Sequence, residues 1–200
     1  MHILLLGPAC PAIETYFSKA GHTFVRTEET LSLTWVREQN CCFGLSYRYR
    51  KIIRQNVIEY FGGKLINMHI SFLPWNKGAD PNLWSYIDGT PKGVTIHRID
   101  AGIDTGDILL QQEVSINLET DTLRTSYDKL SRAIENMFIS NADALLTSTI
   151  PAVVQVGQGS FHYAKDKLPH LHLYDRLGFD TQLSEILVKL RRQRGDMKGA

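Results

Sequence analysis

The chain opens on a continuous apolar run, Ile3-Leu4-Leu5-Leu6, that stops at Gly7-Pro8. A run apolar at every position and ended by a turn pair predicts a strand buried on both faces of a parallel sheet. Pro11 to Ala20 predicts a helix stopped by Gly21, and Thr23 to Val25 a short second strand. A helical stretch around Leu31 to Arg37 precedes a third buried strand, Cys41-Cys42-Phe43-Gly44-Leu45-Ser46. Ile52 to Phe61 predicts a helix closed by Gly62-Gly63, and Leu65-Ile66-Asn67-Met68-His69 a fourth strand. Regular strand–helix alternation predicts an α/β fold, with a mostly parallel sheet flanked by helices on both faces.

The pattern changes after the fourth strand. Val94 to Ile99 and Asp107 to Val114 read as two strands joined by a glycine-containing loop, which predicts a hairpin or an antiparallel addition to the sheet. One long helix is expected from about Asp121 to Leu146, with Leu123, Tyr127, Leu130, Ile134, Met137, Phe138 and Leu145 on its buried face and N-cap candidates in Thr120-Asp121-Thr122. Pro151 marks a boundary, so residues 1–150 are expected to form the main domain and residues 151–200 a short C-terminal extension. In the extension only Thr181 to Arg192 has a helical pattern, and it ends in the basic cluster Lys189, Arg191, Arg192 and Arg194.

Composition narrows the class. Lys plus Arg is 22 and Asp plus Glu 21, a net charge of +1, so the global balance calls for neither nucleic acid nor an anionic membrane. At 43% hydrophobic and 22% charged residues the chain can bury a core without disulfides or metals. No apolar run approaches the roughly 20 residues of a membrane span. The N-terminus lacks the basic region and cleavage site of a signal peptide, so it reads as a first strand. Cys10, Cys41 and Cys42 make neither a disulfide framework nor a CxxC metal site, and buried reduced thiols in a cytoplasmic protein are expected.

Two stretches carry chemistry. In Asn67-Met68-His69-Ile70-Ser71-Phe72-Leu73-Pro74, Asn67 and His69 lie two apart at the carboxyl end of a strand and so share one face. Ligands bind at the carboxyl ends of strands in open α/β sheets. The second stretch runs from Gly93 through His97 to Leu109 and holds the loop Asp100-Ala101-Gly102-Ile103-Asp104-Thr105-Gly106-Asp107. Its acids lack the alternate oxygen spacing and closing Glu of a calcium loop, so no metal is expected. His162, His170 and His172 lack a matching fourth ligand and read as packed or surface residues.

Together the Asn-x-His-x-Ser-x-Leu-Pro segment and the Gly-Ile-Asp-Thr-Gly-Asp loop resemble the N10-formyltetrahydrofolate-dependent formyltransferase family over roughly residues 1–150. The resemblance implies a Rossmann-like fold and a catalytic trio of Asn67, His69 and Asp104. Asn67 would donate an amide hydrogen to the oxyanion, His69 would accept the amine proton or stabilise the oxyanion, and Asp104 would orient His69. It also implies a folate site near Ser46, Tyr47 and Tyr49, near Ile99, Asp100, Gly102 and Ile103, and walled by Leu73 and Pro74.

Within that family the sequence is most similar to sugar N-formyltransferases, through Trp75-Asn76-Lys77-Gly78-Ala79-Asp80-Pro81-Asn82-Leu83-Trp84 and through Ser160-Phe161-His162-Tyr163. The expected acceptor is a UDP- or dTDP-linked amino sugar met by Trp75, Asn76 and Lys77. Glycinamide ribonucleotide transformylases instead carry a Gly-Ser/Asn-rich phosphate loop where this chain has Gly7-Pro8-Ala9-Cys10-Pro11, whose prolines remove N–H donors. Methionyl-tRNA formyltransferases add a C-terminal barrel and a basic surface. A folate-binding protein without catalysis is the alternative from another class. The cations Arg48, Arg50, Lys51 and Arg54 suit the folate glutamate, a diphosphate or a solvated helix start. A homodimer formed through the C-terminal part is expected.

Overall fold

The computed structural model describes residues 1–174 and 176–196. Its elements are, in order, β1 (His2–Leu6), α1 (Pro11–Lys19), β2 (Thr23–Thr27), α2 (Leu33–Gln39), β3 (Phe43–Tyr47), α3 (Gln55–Phe61) and β4 (Leu65–His69). Then come β5 (Lys77–Gly78), α4 (Pro81–Ile87), β6 (Gly93–Arg98), β7 (Ile108–Glu113), α5 (Leu123–Ser140), α6 (Ala142–Leu146), β8 (Phe161–His162) and α7 (Leu183–Asp196). The main sheet has six strands in the order β2-β1-β3-β4-β6-β7. β1 pairs in parallel with β2 and β3, and β3 with β4, whereas β4 meets β6 antiparallel. The expected change of pattern after the fourth strand is therefore a reversal of strand direction within the sheet.

The chain forms two compact units. The first comprises Met1–His69, Thr95–Gln111 and Ile134–Val156, and the second Ile70–Val94, Gln112–Ala133 and the chain from Gly157 onwards. This division departs from the expected boundary near residue 150. The tail is no separate appendage, because β8 pairs with β5 and α7 packs on α4 within the second unit.

In the first unit apolar side chains of the sheet pack against the flanking helices. Leu4, Leu6 and Leu65 pack with Val36, Val57 and Phe61 from α2 and α3. Phe17 of α1 meets Phe138 edge-on at 5.8 Å. Buried aliphatic and aromatic side chains of this size each contribute about 1.5–3 kcal/mol of transfer free energy. Ser32 caps α2 by accepting from the Trp35 N–H at 3.1 Å. Gly62 closes α3 at φ 55°, where a left-handed residue takes the terminal bond to the Glu59 carbonyl. α3 starts later than expected, at Gln55, because Arg54 is extended and Ile53 packs into the α2–α3 cluster.

The single long helix expected up to Leu146 is two. Asn141 leaves helical geometry between α5 and α6, and its side chain donates to the Met137 carbonyl at 2.8 Å. A short polar side chain competes in this way for backbone groups.

In the second unit Leu83, Trp84 and Ile87 of α4 share a core with Leu123, Leu173, Leu183, Ile186 and Leu190. Thr122 caps α5, accepting from the Thr125 N–H at 3.1 Å while Thr125 Oγ1 accepts from the Thr122 N–H at 2.9 Å. The tail holds more structure than expected, with 3-10 segments at Ala164–Leu173 and Gly178–Asp180. Its basic cluster is partly engaged. Lys189 pairs with Glu185 and donates to the His172 and Leu173 carbonyls, and Arg194 donates to the Ile87 carbonyl at 2.6 Å.

Candidate active site

Strand register places the first two candidates. Asn67 lies opposite His97 on β6 and in register with Ser46 on β3, and His69 lies opposite Thr95. Residues two apart on β4 share a face, so Asn67 and His69 emerge together at the strand's carboxyl end.

Asp104 joins them from the β6–β7 loop. It occupies the left-handed region at φ 54°, uncommon for a residue with a side chain. The loop is fixed around it. Gln155 Nε2 donates to the Asp104 carbonyl at 2.9 Å and to the Gly106 carbonyl at 2.8 Å. A Cβ on Gly106 would come within 2.0 Å of the Arg98 carbonyl oxygen, so only glycine lets the loop close on β6. Asp100 Oδ1 accepts from the Gly102 N–H at 3.1 Å and from Thr105 Oγ1 at 2.7 Å. Asp100, expected at the folate site, therefore serves the loop with that oxygen, while Gly102 and Ile103 are exposed and Ile99 is half-buried.

The three side chains converge. Asn67 Nδ2 donates to Asp104 Oδ1 at 3.1 Å, and His69 Nδ1 lies 3.6 Å from Asp104 Oδ2. The imidazole and the carboxylate are both largely buried, at 8% and 11% side-chain exposure, which strengthens their mutual interaction over that of a surface pair. Imidazole–acid separations of this length commonly tighten when substrate binds.

His97 is a fourth member that the sequence reading left unassigned. Its Nδ1 lies 2.7 Å from the Arg98 carbonyl, which only accepts, so Nδ1 carries the hydrogen. In the neutral ring Nε2 then accepts, and it lies 3.2 Å from Asn67 Nδ2. Both hydrogens of the Asn67 amide are thus engaged, one by Asp104 and one by His97. This modifies the expected role of Asn67. It reaches an oxyanion only by sharing or exchanging one of those two bonds.

The remaining candidates fall in several places. Ser46 is buried, in register with Asn67. Tyr47 is in register with Met68, so its ring turns to the other face of the sheet. There its hydroxyl donates to Glu135 at 3.0 Å and accepts from Arg48 at 2.8 Å. On that same face Gly7, Pro8, Cys10, Arg26 and Tyr47 help line a shallow crevice. Burial pushes the Cys10 thiol up, assisted by Glu135. Tyr49 donates to the Glu29 carbonyl at 2.6 Å.

In the second unit Leu73 is buried and Pro74 half-buried, joined by a cis peptide bond. Asn76 is fully buried, donating to Thr90 Oγ1 at 2.7 Å and accepting from Ser160 Oγ at 3.1 Å. The fold, rather than a ligand, thus claims the amide that was expected to meet substrate. Trp75 is exposed and Lys77 half-buried in β5. His162 stacks on Trp84 at 3.7 Å and bonds Asp88 at 2.8 Å, and His170 meets Trp84 edge-on.

A largely buried imidazole, a carboxylate and a carboxamide at the carboxyl end of an α/β sheet strand suit acyl transfer to an amine. The family model described as Formyl transferase matches residues 36–142, more than half of the chain, and the protein belongs to that family. The solved structure of the formyltransferase PseJ from Anoxybacillus kamchatkensis, in complex with UDP-4,6-dideoxy-4-formamido-L-AltNAc and tetrahydrofolate, is 40% identical. It superposes with a TM-score of 0.90 and covers 95% of this chain and 100% of that one. Methionyl-tRNA formyltransferase of Thermodesulfovibrio yellowstonii is 38% identical over 117 residues, covering 58% of this chain and 38% of that protein. The dTDP-4-amino-4,6-dideoxyglucose formyltransferase of Mycobacterium tuberculosis is 32% identical over 127 residues, covering 62% of this chain and 54% of that protein. The chain thus spans about two fifths to one half of the length of these two curated relatives.

Proposed function

We propose that the protein transfers a formyl group from N10-formyltetrahydrofolate to the exocyclic amine of a nucleotide-linked amino sugar. The observation that carries this reading is the convergence of Asn67 and His69 on the largely buried carboxylate of Asp104. It is supported by the likeness to PseJ over almost the whole chain. A UDP-linked 4-amino-4,6-dideoxy sugar is accordingly the first acceptor to test.

The residues present suit such a donor: a proton-carrying imidazole is backed by an acid, beside a row of strand residues led by Ser46. When bound, the donor supplies an activated formyl carbon on N10. His69 takes the proton that the attacking amine must lose. Asp104 holds the resulting imidazolium, since an adjacent carboxylate favours the charged ring. Asn67 steadies the oxygen that gains charge by releasing one of its two bonds. One N–C bond forms to the sugar amine and one breaks at N10, so the amine proton is returned through His69 to the departing nitrogen and tetrahydrofolate leaves.

Mass-spectrometric detection of one added formyl group on a panel of UDP- and dTDP-amino sugars tests this reading. Methionyl-tRNA serves as a second acceptor because of the sequence match to that enzyme. Formylation of methionyl-tRNA alone would overturn the sugar assignment.

A homodimer in the cytoplasm is part of the proposal. It is supported by the exposed Leu168, Leu171, Leu177, Phe179 and Val188 of the tail, which a second copy would cover. A monomer mass by light scattering at micromolar concentration would remove the dimer.

A further inference from the structure

We propose that Gln155 is a positioning residue for the transfer: it grips the backbone of the β6–β7 loop and so holds the Asp104 carboxylate where His69 uses it. The inference rests on the formyl-transfer reading above and adds to the site a residue from the segment after α6.

The grip is double. One nitrogen, Gln155 Nε2, donates to the Asp104 carbonyl at 2.9 Å and to the Gly106 carbonyl at 2.8 Å. A carboxamide nitrogen carries two hydrogens, so each carbonyl receives one. Both neighbours only accept, and this decides which end of the amide faces the loop. The other end is idle: Oε1 is buried and finds no donor among the described residues. The side chain is thus oriented through its nitrogen, toward the loop.

Sheet geometry sets where Gln155 stands. Val153 and Ile108 exchange both backbone bonds at 2.8 Å, as an antiparallel pair at the start of β7. Two residues on in that register, Gln155 falls opposite Gly106. The side-chain amide there does what a backbone N–H would do in a continued ladder. Apolar burial adds little to this segment, since Val154 and Val156 are 68% and 82% exposed. Gly106 also lies close on the Arg98 carbonyl, so β6 and Gln155 both restrain it.

Asp104 needs such restraint. At φ 54° it holds a backbone conformation that disfavours a residue with a Cβ and that persists where the surroundings impose it. Its carboxylate serves two partners, accepting from Asn67 Nδ2 at 3.1 Å and lying 3.6 Å from His69 Nδ1. The second separation is already long, so any further drift of the loop parts the acid from the imidazole. A misplacement of about 1 Å is enough to cost a hundredfold in rate.

Two substitutions at Gln155 separate the grip from simple packing. Q155M keeps the length and bulk and removes both hydrogens, whereas Q155K offers donors again. Turnover is measured with the acceptor that the panel identifies, tetrahydrofolate affinity by calorimetry, and the titration midpoint of the His69 ring by NMR. Q155M is expected to lower kcat about ten- to a hundredfold with folate affinity nearly unchanged, and Q155K to recover part of the loss. A carboxylate beside an imidazole favours the charged ring, so the His69 midpoint should fall in Q155M. On a D104N background Q155M should cost little more, because the residue acts through Asp104. An unchanged kcat and His69 midpoint in Q155M would overturn the proposal. So would a Q155K slower than Q155M, or a Q155M that costs D104N its full factor. Loss of folate affinity in step with turnover would make Gln155 structural. Absence of transfer by the unaltered protein would remove the function reading instead, and the His69 midpoint would still decide on the grip.

Discussion

The Asn67 amide nitrogen lies 3.1 Å from the Asp104 carboxylate and uses one of its two hydrogens there. The other faces His97. Asn67 therefore ties β4 to the β6–β7 loop, and the acid beside His69 is held by the residue two positions before that histidine on β4.

Changing that acid tests the chemistry directly. Asp104→Asn keeps the shape and removes the charge that supports an imidazolium at His69. His69→Asn removes the proton carrier. Each is expected to lower kcat by about 10²–10⁴, the range of a general acid–base contribution. Tetrahydrofolate affinity, measured by calorimetry, should change little. Parallel loss of binding and turnover would make these residues structural.

His97 is expected to act as a positioning residue, since its Nε2 lies 3.2 Å from the Asn67 amide and 3.4 Å from Asp104 Oδ1. His97→Leu leaves one hydrogen of the half-buried Asn67 amide without this partner, at a cost of up to about 1 kcal/mol. The expected outcome is a fall in kcat with KM for the donor nearly unchanged, and partial rescue by His97→Gln, whose side-chain oxygen accepts. A loss of thermal stability with normal turnover per folded molecule would place His97 in the fold alone.

Acid lability should arise partly at Asp121. Burial opposes its charge, but bonds from Lys129 Nζ at 2.6 Å, the Asn117 N–H at 2.8 Å and Thr125 Oγ1 at 2.9 Å outweigh that and hold its carboxyl below the usual range. The unfolded chain thus takes up this proton first, and the stability is lost as pH falls below about 4. Urea denaturation of Asp121→Asn should show a stability reduced at pH 7 by about 1.5–3 kcal/mol and a shallower loss in acid.

A second pH effect sits higher. Burial leads in depressing His170, and His172 and His162 add to it against the pull of Asp88. A base with a lowered folded pKa protonates first in the unfolded chain. Stability is therefore complete above about pH 6.5 and declines as pH falls below it. Denaturation midpoints between pH 7.5 and 5.5 should fall less steeply in His170→Phe. An unchanged slope would assign the effect to other groups.

The helical end of the second unit offers a packing test. Ile186 is fully buried among α4 and α7 side chains. Ile186→Ala should cost about 2–5 kcal/mol, read as a shifted urea midpoint. A cost below 1 kcal/mol would mean that the tail contributes little to this core.

Much of the first unit was legible because β1 is an unbroken apolar run and α1 and α3 are closed by glycine. The shared face of Asn67 and His69 was legible through their spacing on a strand, whereas Asp104 was expected only through the family resemblance of its loop. His97 was not, since one histidine in an apolar strand reads as core. Its signal was parity: Thr95 and His97 are the polar positions of a strand whose alternate residues, Val94 and Ile96, are fully buried. The same parity would have turned Tyr47 away from the face of Ser46. The tail was least legible. Its 3-10 turns lack a helical period, and its partners, α4 and the start of α5, lie far away in sequence.

The division of the chain also sets an order of completion. Every segment of the unit that carries Asn67, His69, His97 and Asp104 has been synthesised once Val156 is added. The other unit stays unfinished until α7 emerges, because Leu83, Trp84 and Ile87 rely on Leu183, Ile186 and Leu190 to cover them. During translation the first unit is thus ready first, while the early segments of the second hold bare apolar surface until α7 arrives, an interval in which a nascent chain is open to aggregation.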